Sequence, residues 1–180
     1  PEQAIEIITG FARDGLPIEL VEQPVAARNI EGLARVAAAV ELPIMADEAV
    51  WTAEDARRLV DADACDLLNI KLAKTGGIRG AMAIADIARE AGKECMVGAM
   101  MEPRISITAA AHLAMAHPAI TMIDLDPPAW FTSAAPRGGF TQDGAWLRLC
   151  GGPGLGLELL PADVDPAAPT ASPSGDGGDR

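Results

Sequence analysis

Lys71 is the residue of this sequence that core packing explains least. It ends the apolar run from Asp66 to Lys71, which has the pattern of a short buried strand, where lysine is rarely placed to fill a core. Thr75-Gly76-Gly77 then breaks the strand, and residues 78–91 follow with helical spacing. Lys71 is therefore predicted at the carboxyl end of a strand, which is where parallel α/β proteins place their chemistry.

Acidic side chains stand at the ends of three further predicted strands. These strands cover residues 18–22, 44–46 and 120–123, and the acidic residues at their ends are Glu22, Asp47 and the pair Asp124 and Asp126. Carboxylates on neighbouring strands, here Glu22 and Asp47, are hard oxygen ligands that suit Mg2+. A third ligand is then expected from a strand outside this sequence. Lys71 is expected to move a proton on a substrate held at the metal.

Asp124 and Asp126 are separated by a single residue, Leu125. The period of two in extended chain sends both carboxylates to one side and Leu125 to the other. Two neighbouring anions repel each other, and a cation such as a substrate ammonium group relieves that repulsion. The alternative is that Asp126 only caps the turn into Pro127-Pro128.

Each of these residues also has a simpler interpretation. A strand-end acid can be a solvated loop residue or a helix cap, and Lys71 can pair with Glu48 alone. Lys74 either supports the site or is exposed to solvent. The occurrence of polar side chains at four predicted strand ends favours a common site over these separate explanations.

The strand ends also define an internal repeat. They fall at Glu22, Asp47, Lys71, Gly98 and Asp124, at intervals of roughly 25 residues, which a strand, a loop and a returning helix require. Helices are predicted over residues 2–13, 30–40, 52–60, 78–91 and 105–116. A complete eight-unit barrel takes about 250 residues, so the pattern predicts an α/β fold, the C-terminal part of a TIM-type (β/α) barrel with about five units. An open doubly wound sheet is the competing fold, and it is disfavoured because no Gly-rich phosphate loop follows a strand.

The two ends of the chain differ from this repeat. The barrel portion is predicted over residues 1–160, with a turn at Arg137-Gly138-Gly139 and one or two short strands between Phe140 and Cys150. Residues 161–180 are rich in Pro, Ala, Ser, Gly and Asp without periodicity, which predicts a disordered tail. The chain begins at Pro1 without a methionine or a signal-like segment, so we expect further residues before it.

Composition excludes several classes of function. The net charge is -12 and Lys and Arg form no dense patch, which argues against nucleic-acid binding. No apolar run approaches the roughly 20 residues of a membrane span. The three cysteines are odd in number and widely spaced, which is typical of reduced cysteines in a cytoplasmic protein and not of a disulfide framework or zinc site. The sequence is compatible with a homo-oligomer.

Four segments together resemble a known family. They are Glu22-Gln23-Pro24, Ala46-Asp47-Glu48, Asn69-Ile70-Lys71-Leu72-Ala73-Lys74-Thr75-Gly76-Gly77 and Ile123-Asp124-Leu125-Asp126. In this order and spacing they resemble the muconate-lactonizing-enzyme subgroup of the enolase superfamily, and within it the dipeptide epimerases of the L-Ala-D/L-Glu kind. The resemblance extends over roughly residues 1–160.

This resemblance implies roles for the strand-end residues. Glu22 and Asp47 would bind Mg2+, Lys71 would be one of two opposed acid/base lysines, and Asp124 and Asp126 would hold the ammonium group of a small dipeptide substrate. The reaction implied is epimerisation by removal and return of the α-proton through an enediolate. The family's second lysine, its first metal aspartate and its capping domain do not occur in this sequence, so we expect the isolated chain to be inactive.

Other functions remain open within the same resemblance. They are a cycloisomerase, an o-succinylbenzoate synthase, an N-acylamino-acid racemase, and a truncated barrel piece without catalysis. The Asp124 and Asp126 pair favours the dipeptide epimerases, because the alternative substrates lack a free ammonium group near that strand.

Overall fold

The computed structural model describes residues 1–126 and 136–158. In chain order the elements are α1 (Glu2–Arg13), β1 (Val21–Glu22), α2 (Ile30–Ala39), β2 (Ile44–Ala46), α3 (Ala53–Asp61), β3 (Leu67–Ile70), α4 (Leu72–Thr75), α5 (Ile78–Glu90), β4 (Glu94–Val97), α6 (Arg104–Ala116), β5 (Ile120–Ile123), β6 (Arg137–Gly138), β7 (Phe140–Asp143), β8 (Trp146–Leu149) and β9 (Leu157–Glu158).

The first five strands form one parallel sheet in chain order, β1-β2-β3-β4-β5. A helix between consecutive strands returns the chain to the starting edge, so every carboxyl end of a strand lies on the same side. The ladder is regular apart from a register shift between Cys95 and Met96. The predicted parallel order of five βα units is therefore confirmed.

The helices pack on one face of this sheet. A single large core joins apolar side chains of α1, α2, α3, α5 and α6 to the strand residues Ile44, Ala46, Leu68, Ile70, Cys95 and Val97. Alternate strand residues Met45, Leu67 and Met96 form a separate small cluster on the other face. Helices on one face with apolar side chains on the opposite face match the wall of a barrel and not a doubly wound sheet, which carries helices on both faces.

The helix ends follow local sequence signals. The Asn29 side chain accepts a hydrogen bond from Gly32 N at 2.9 Å and caps α2. Thr52 and Asp55 form the reciprocal capping box at the start of α3, which the sequence predicted with aspartate in the usual place of glutamate. Gly76 ends α4 in the left-handed conformation, with a φ of 68°, which glycine adopts without a Cβ penalty.

Three local details differ from the sequence predictions. The strand predicted over residues 18–22 is reduced to β1, because only its last two residues pair with β2. The loop after Lys71 contains the short helix α4. Arg137 and Gly138, predicted as part of a turn, pair with Glu158 and Leu157 as strands β6 and β9. The predicted disordered tail over residues 161–180 lies outside the described residues.

The segment of residues 136–158 packs against α6 through β8. β7 and β8 form the antiparallel hairpin predicted between Phe140 and Cys150. The Arg104 guanidinium donates to the carbonyls of Gly138 at 2.9 Å and Phe140 at 2.7 Å, and it lies 4.1 Å from the centre of the Phe140 ring. This arginine thus fixes the small C-terminal strands to the start of α6.

Within residues 1–126 and 136–158, no helix has the length and apolar content needed to cross a lipid bilayer. Cys65, Cys95 and Cys150 are all free thiols.

Candidate active site

The predicted chemical residues of the first three strands meet on the inner face of the sheet. Glu22 pairs in register with Met45, and Asp47 follows Met45 by two residues, so both carboxylates share the face of the small apolar cluster. Asn69 and Lys71 continue the same alternation beyond Leu67 in β3. Polar side chains therefore form the layer directly above the apolar inner cluster, at the carboxyl edge of the strands.

Asp47 is the centre of this polar layer. Lys71 Nζ donates to Asp47 Oδ2 at 2.7 Å, and Lys74 Nζ donates to Asp47 Oδ1. Burial alone would raise the pKa of the Asp47 carboxyl, but the hydrogen bonds and charges of Lys71 and Lys74 outweigh burial and hold that pKa below its ordinary value. Asp47 is therefore a stable carboxylate, and the partner of Lys71 is Asp47 and not Glu48.

Lys74 is the site residue whose role the sequence left undecided. Its side chain is only 1 % exposed. Besides the Asp47 carboxylate, its ammonium donates to Asp47 O at 2.7 Å and Asn69 O at 3.0 Å, so all three of its protons have acceptors. Burial lowers the pKa of Lys74, and the Asp47 carboxylate partly offsets that shift. The Lys-x-x-Lys spacing was the available signal, because α4 turns the second lysine back beneath the first.

Glu22 is held from across the sheet. Asn69 Nδ2 on β3 donates to Glu22 Oε1 on β1 at 2.6 Å, spanning the intervening strand β2. Gln23, the next residue, has a positive φ of 41°, and its Oε1 accepts from Asp47 N at 2.9 Å and Ala49 N at 3.2 Å. The ends of β1 and β2 are thus fixed to each other by side-chain hydrogen bonds, which the sequence analysis did not predict.

Gly98 follows β4 and leaves room for two of these side chains. A Cβ at this position would lie 2.6 Å from Asn69 Oδ1 and 3.2 Å from Lys71 Cε, both shorter than ordinary contact. Any larger residue would therefore displace Asn69 or Lys71. The close approach explains why the repeat has a glycine at this strand end where the other strands have polar residues.

Asp124 and Asp126 lie at the same edge, beyond β5. Asp124 N donates to Val97 O at 2.9 Å, which continues the ladder past the strand. Both aspartates are exposed, and Leu125 between them is buried, as the alternation predicted. Together with Gln142 and Leu147 they line an open cavity of about 190 Å³.

The donor set suits part of a magnesium site. Glu22 and Asp47 supply hard carboxylate oxygens from neighbouring strands, which is the chemistry that Mg2+ prefers. Within residues 1–126 and 136–158, however, no three His, Cys, Asp or Glu side chains are grouped closely enough to hold a metal ion. The residues present fit a magnesium ion as two of its ligands and do not complete its coordination.

Comparison with known proteins identifies the family. The enolase C-terminal domain-like family model matches residues 1–164. This chain belongs to the enolase C-terminal domain-like family. The resemblance read from the four sequence segments is thereby confirmed at the level of the enolase superfamily, and the barrel-type sheet agrees with it.

Relatives of this enolase-type chain carry consistent names. The chain is 48 % identical over 158 residues to the L-Ala-D/L-Glu epimerase of Clostridium acetobutylicum. It matches the solved substrate-liganded complex of the L-Ala-D/L-Glu epimerase from Bacillus subtilis with a TM-score of 0.87 and 43 % identity, over 88 % of this chain and 44 % of that one. It matches the dipeptide epimerase from Enterococcus faecalis complexed with Mg and the dipeptide L-Leu-L-Tyr with a TM-score of 0.83 and 45 % identity, over 87 % of this chain and 44 % of that one.

These matches cover most of this chain but less than half of each matched protein. The match to the Clostridium epimerase covers 88 % of this chain but only 44 % of that protein. The enolase-type chain thus spans less than half the length of the curated relatives it matches.

Proposed function

We propose that the protein carrying this chain is a magnesium-dependent dipeptide epimerase of the L-Ala-D/L-Glu type. The observation that carries the proposal is the arrangement at the carboxyl edge, where the Lys71 amine lies beside the Asp47 carboxylate and Asn69 holds Glu22. The similarity to epimerases of dipeptides supports the same activity.

Lys71 acts as one acid/base group in this proposal. Its side chain is only 14 % exposed and ends on the inner face, so its amine can address the α-carbon of a bound substrate with little competition from water. It takes the α-proton of one epimer and returns a proton when the other epimer reacts. A second group on the opposite face of the α-carbon completes the inversion.

Glu22 and Asp47 are the proposed magnesium ligands of this chain. The ion supplies positive charge that makes an α-proton next to a carboxylate or amide acidic enough to remove. Lys74 and Asn69 fix the two carboxylates, so the ligands are oriented before an ion arrives. Asp124 and Asp126 hold the substrate ammonium in the exposed cavity beside β5, where a dipeptide can enter.

The test uses the natural protein at its full natural length. Epimerisation of L-Ala-L-Glu is followed by proton NMR with added MgCl2, with EDTA, and with the Lys71→Ala variant. Turnover should require magnesium and be lost in Lys71→Ala, while magnesium affinity measured by calorimetry is retained. Normal turnover of Lys71→Ala in both directions would show that the acid/base assignment is wrong.

Substrate choice separates the proposal from the racemase alternative. Asp124→Asn and Asp126→Asn should each raise KM for free dipeptides much more than for N-acylated ones, because only free dipeptides present an ammonium group. A wild-type preference for N-acylamino acids, with equal effects of both variants on both substrate classes, would assign the protein to the racemases instead.

A further inference from the structure

We propose that Asn69 is a positioning residue whose two amide atoms serve the metal ligand Glu22 and the acid/base Lys71 separately. This inference rests on the proposed function. Asn69 is 1 % exposed and lies within β3, between the fully buried Leu68 and Ile70. A buried amide in such an apolar strand is costly unless its hydrogen-bonding groups are used.

The nitrogen of the amide positions Glu22. Asn69 Nδ2 donates to Glu22 Oε1 at 2.6 Å, so one carboxylate oxygen is fixed and the other stays available to a cation. The donor comes from a rigid central strand, whereas Glu22 ends an edge strand of two residues that pairs with β2 alone among the described strands. Without Asn69, the Glu22 side chain would have to be ordered when the ion binds. Removal of a hydrogen-bond partner of a metal ligand typically lowers metal affinity about 10–100-fold.

The oxygen of the amide faces Lys71. Asn69 Oδ1 is buried and accepts no hydrogen bond from any described residue. It lies over Gly98 beside the Lys71 side chain, since a Cβ at Gly98 would meet both Asn69 Oδ1 and Lys71 Cε. A buried acceptor of this kind is unfavourable unless a donor reaches it in another state of the protein.

Binding of magnesium at Asp47 would create a state in which a donor reaches Asn69 Oδ1. Lys71 Nζ donates to Asp47 Oδ2, the oxygen that Lys74 leaves free for a cation. Lys71 would lose this oxygen to a cation held by Asp47, because the two positive charges compete for it. Asn69 Oδ1 is then the buried acceptor next to the Lys71 stem. With a cation bound, Asn69 Oδ1 would accept from the Lys71 ammonium and hold it beside β3 and Gly98.

The first experiment tests the nitrogen of the amide. Asn69→Leu removes both amide functions with little change in side-chain size, and Asn69→Ala replaces it if circular dichroism shows that the leucine variant is unfolded. Titration of the full-length protein with MgCl2 in a calorimeter should show affinity lowered about tenfold or more. The matched control is Asn29→Ala, because the Asn29 side chain caps α2 through Gly32 N and hydrogen-bonds to none of the proposed site residues, so its loss should lower Tm without changing magnesium affinity.

The second experiment tests the oxygen of the amide at saturating MgCl2. In D2O, wild-type protein should exchange the α-proton of both dipeptide epimers, measured by proton NMR. The Asn69 variant should slow exchange of one epimer much more than the other, and it should be the same epimer that Lys71→Ala affects. A purely structural loss would slow both epimers equally.

The possible results separate the two proposals. If wild-type protein neither binds magnesium nor exchanges α-protons, the proposed function fails. If wild type does both and the folded Asn69 variant keeps its magnesium affinity, the proposal that Asn69 positions Glu22 for the metal is wrong. If exchange of both epimers falls equally at saturating magnesium, the positioning of Lys71 is wrong.

Discussion

The Lys74 ammonium lies beneath Asp47 and holds both its carboxylate and its backbone carbonyl. The same ammonium reaches the carbonyl of Asn69, so one side chain joins the ends of β2 and β3. Because its three acceptors are buried, removing the amine leaves several polar groups without a partner at once.

Lys74→Met should therefore destabilise the fold strongly. Loss of one member of a buried ion pair typically costs about 3–5 kcal/mol. The measurement is the free energy of unfolding in urea. Lys93→Met is the matched control, since Lys93 pairs at 2.7 Å with Asp63, which is 90 % exposed, and such exposed pairs contribute little to stability. Equal losses in the two variants would contradict the structural role assigned to Lys74.

Gly98→Ala should impair the site by steric contact. The new methyl group would meet Asn69 Oδ1 and Lys71 Cε, so both side chains must shift. We expect epimerase activity to fall about tenfold or more, since misplacement of a catalytic group by about 1 Å can cost about a hundredfold. Gly10→Ala in α1 is the control, because its Cβ would meet nothing within 4 Å and alanine favours a helix. A Gly98→Ala variant with unchanged kcat would contradict the crowding of Lys71.

The capping box of α3 predicts a dependence of stability on pH. Burial would raise the pKa of Asp55, but hydrogen bonds from Thr52, Arg58 and the Trp51 amide hold it below its ordinary value of 3.8. A carboxyl with a lowered folded-state pKa stabilises the fold fully above its unfolded pKa, and this contribution is lost as pH falls through the folded-state pKa. Asp55→Asn should therefore cost about 1 kcal/mol near neutral pH.

Asp55→Asn also tests the pH dependence of this contribution. The difference in unfolding free energy between wild type and Asp55→Asn should shrink as the pH falls below 3.8, because wild type loses the contribution that the variant already lacks. A difference that stays constant from neutral to acid pH would show that the Asp55 carboxylate contributes nothing as an ion.

Burial should also divide the three cysteines by reactivity. It raises the pKa of the Cys65 and Cys95 thiols to about 12, whereas Cys150 is only half-buried. Alkylation needs the thiolate, so iodoacetamide at mildly alkaline pH should label Cys150 in the native protein and the other two only after denaturation. Peptide mass spectrometry identifies the labelled residues. Rapid labelling of Cys65 or Cys95 in folded protein would contradict their place in the core.

The order and type of the main elements follow from local patterns in the sequence. Period, caps and breakers are local signals, so the helices from Glu2 and Ile30 and the strands at Ile44 and Ile120 begin where the pattern predicted. The recurrence of polar residues at strand ends also predicted that Glu22, Asp47 and Lys71 share one edge, because parallel strands with regular crossovers must bring these ends together.

The contacts among these side chains, in contrast, depend on the folded arrangement of the strands. Asn69 has no special local signal and Lys74 has only its spacing from Lys71, and their contacts join residues on different strands, as between Asn69 and Glu22. Whether a lysine faces solvent or an aspartate depends on the direction that α4 takes after β3, which the sheet fixes. The requirement for Gly98 likewise comes from side chains of a neighbouring strand. Such contacts depend on the register between strands, and local propensity does not contain that register.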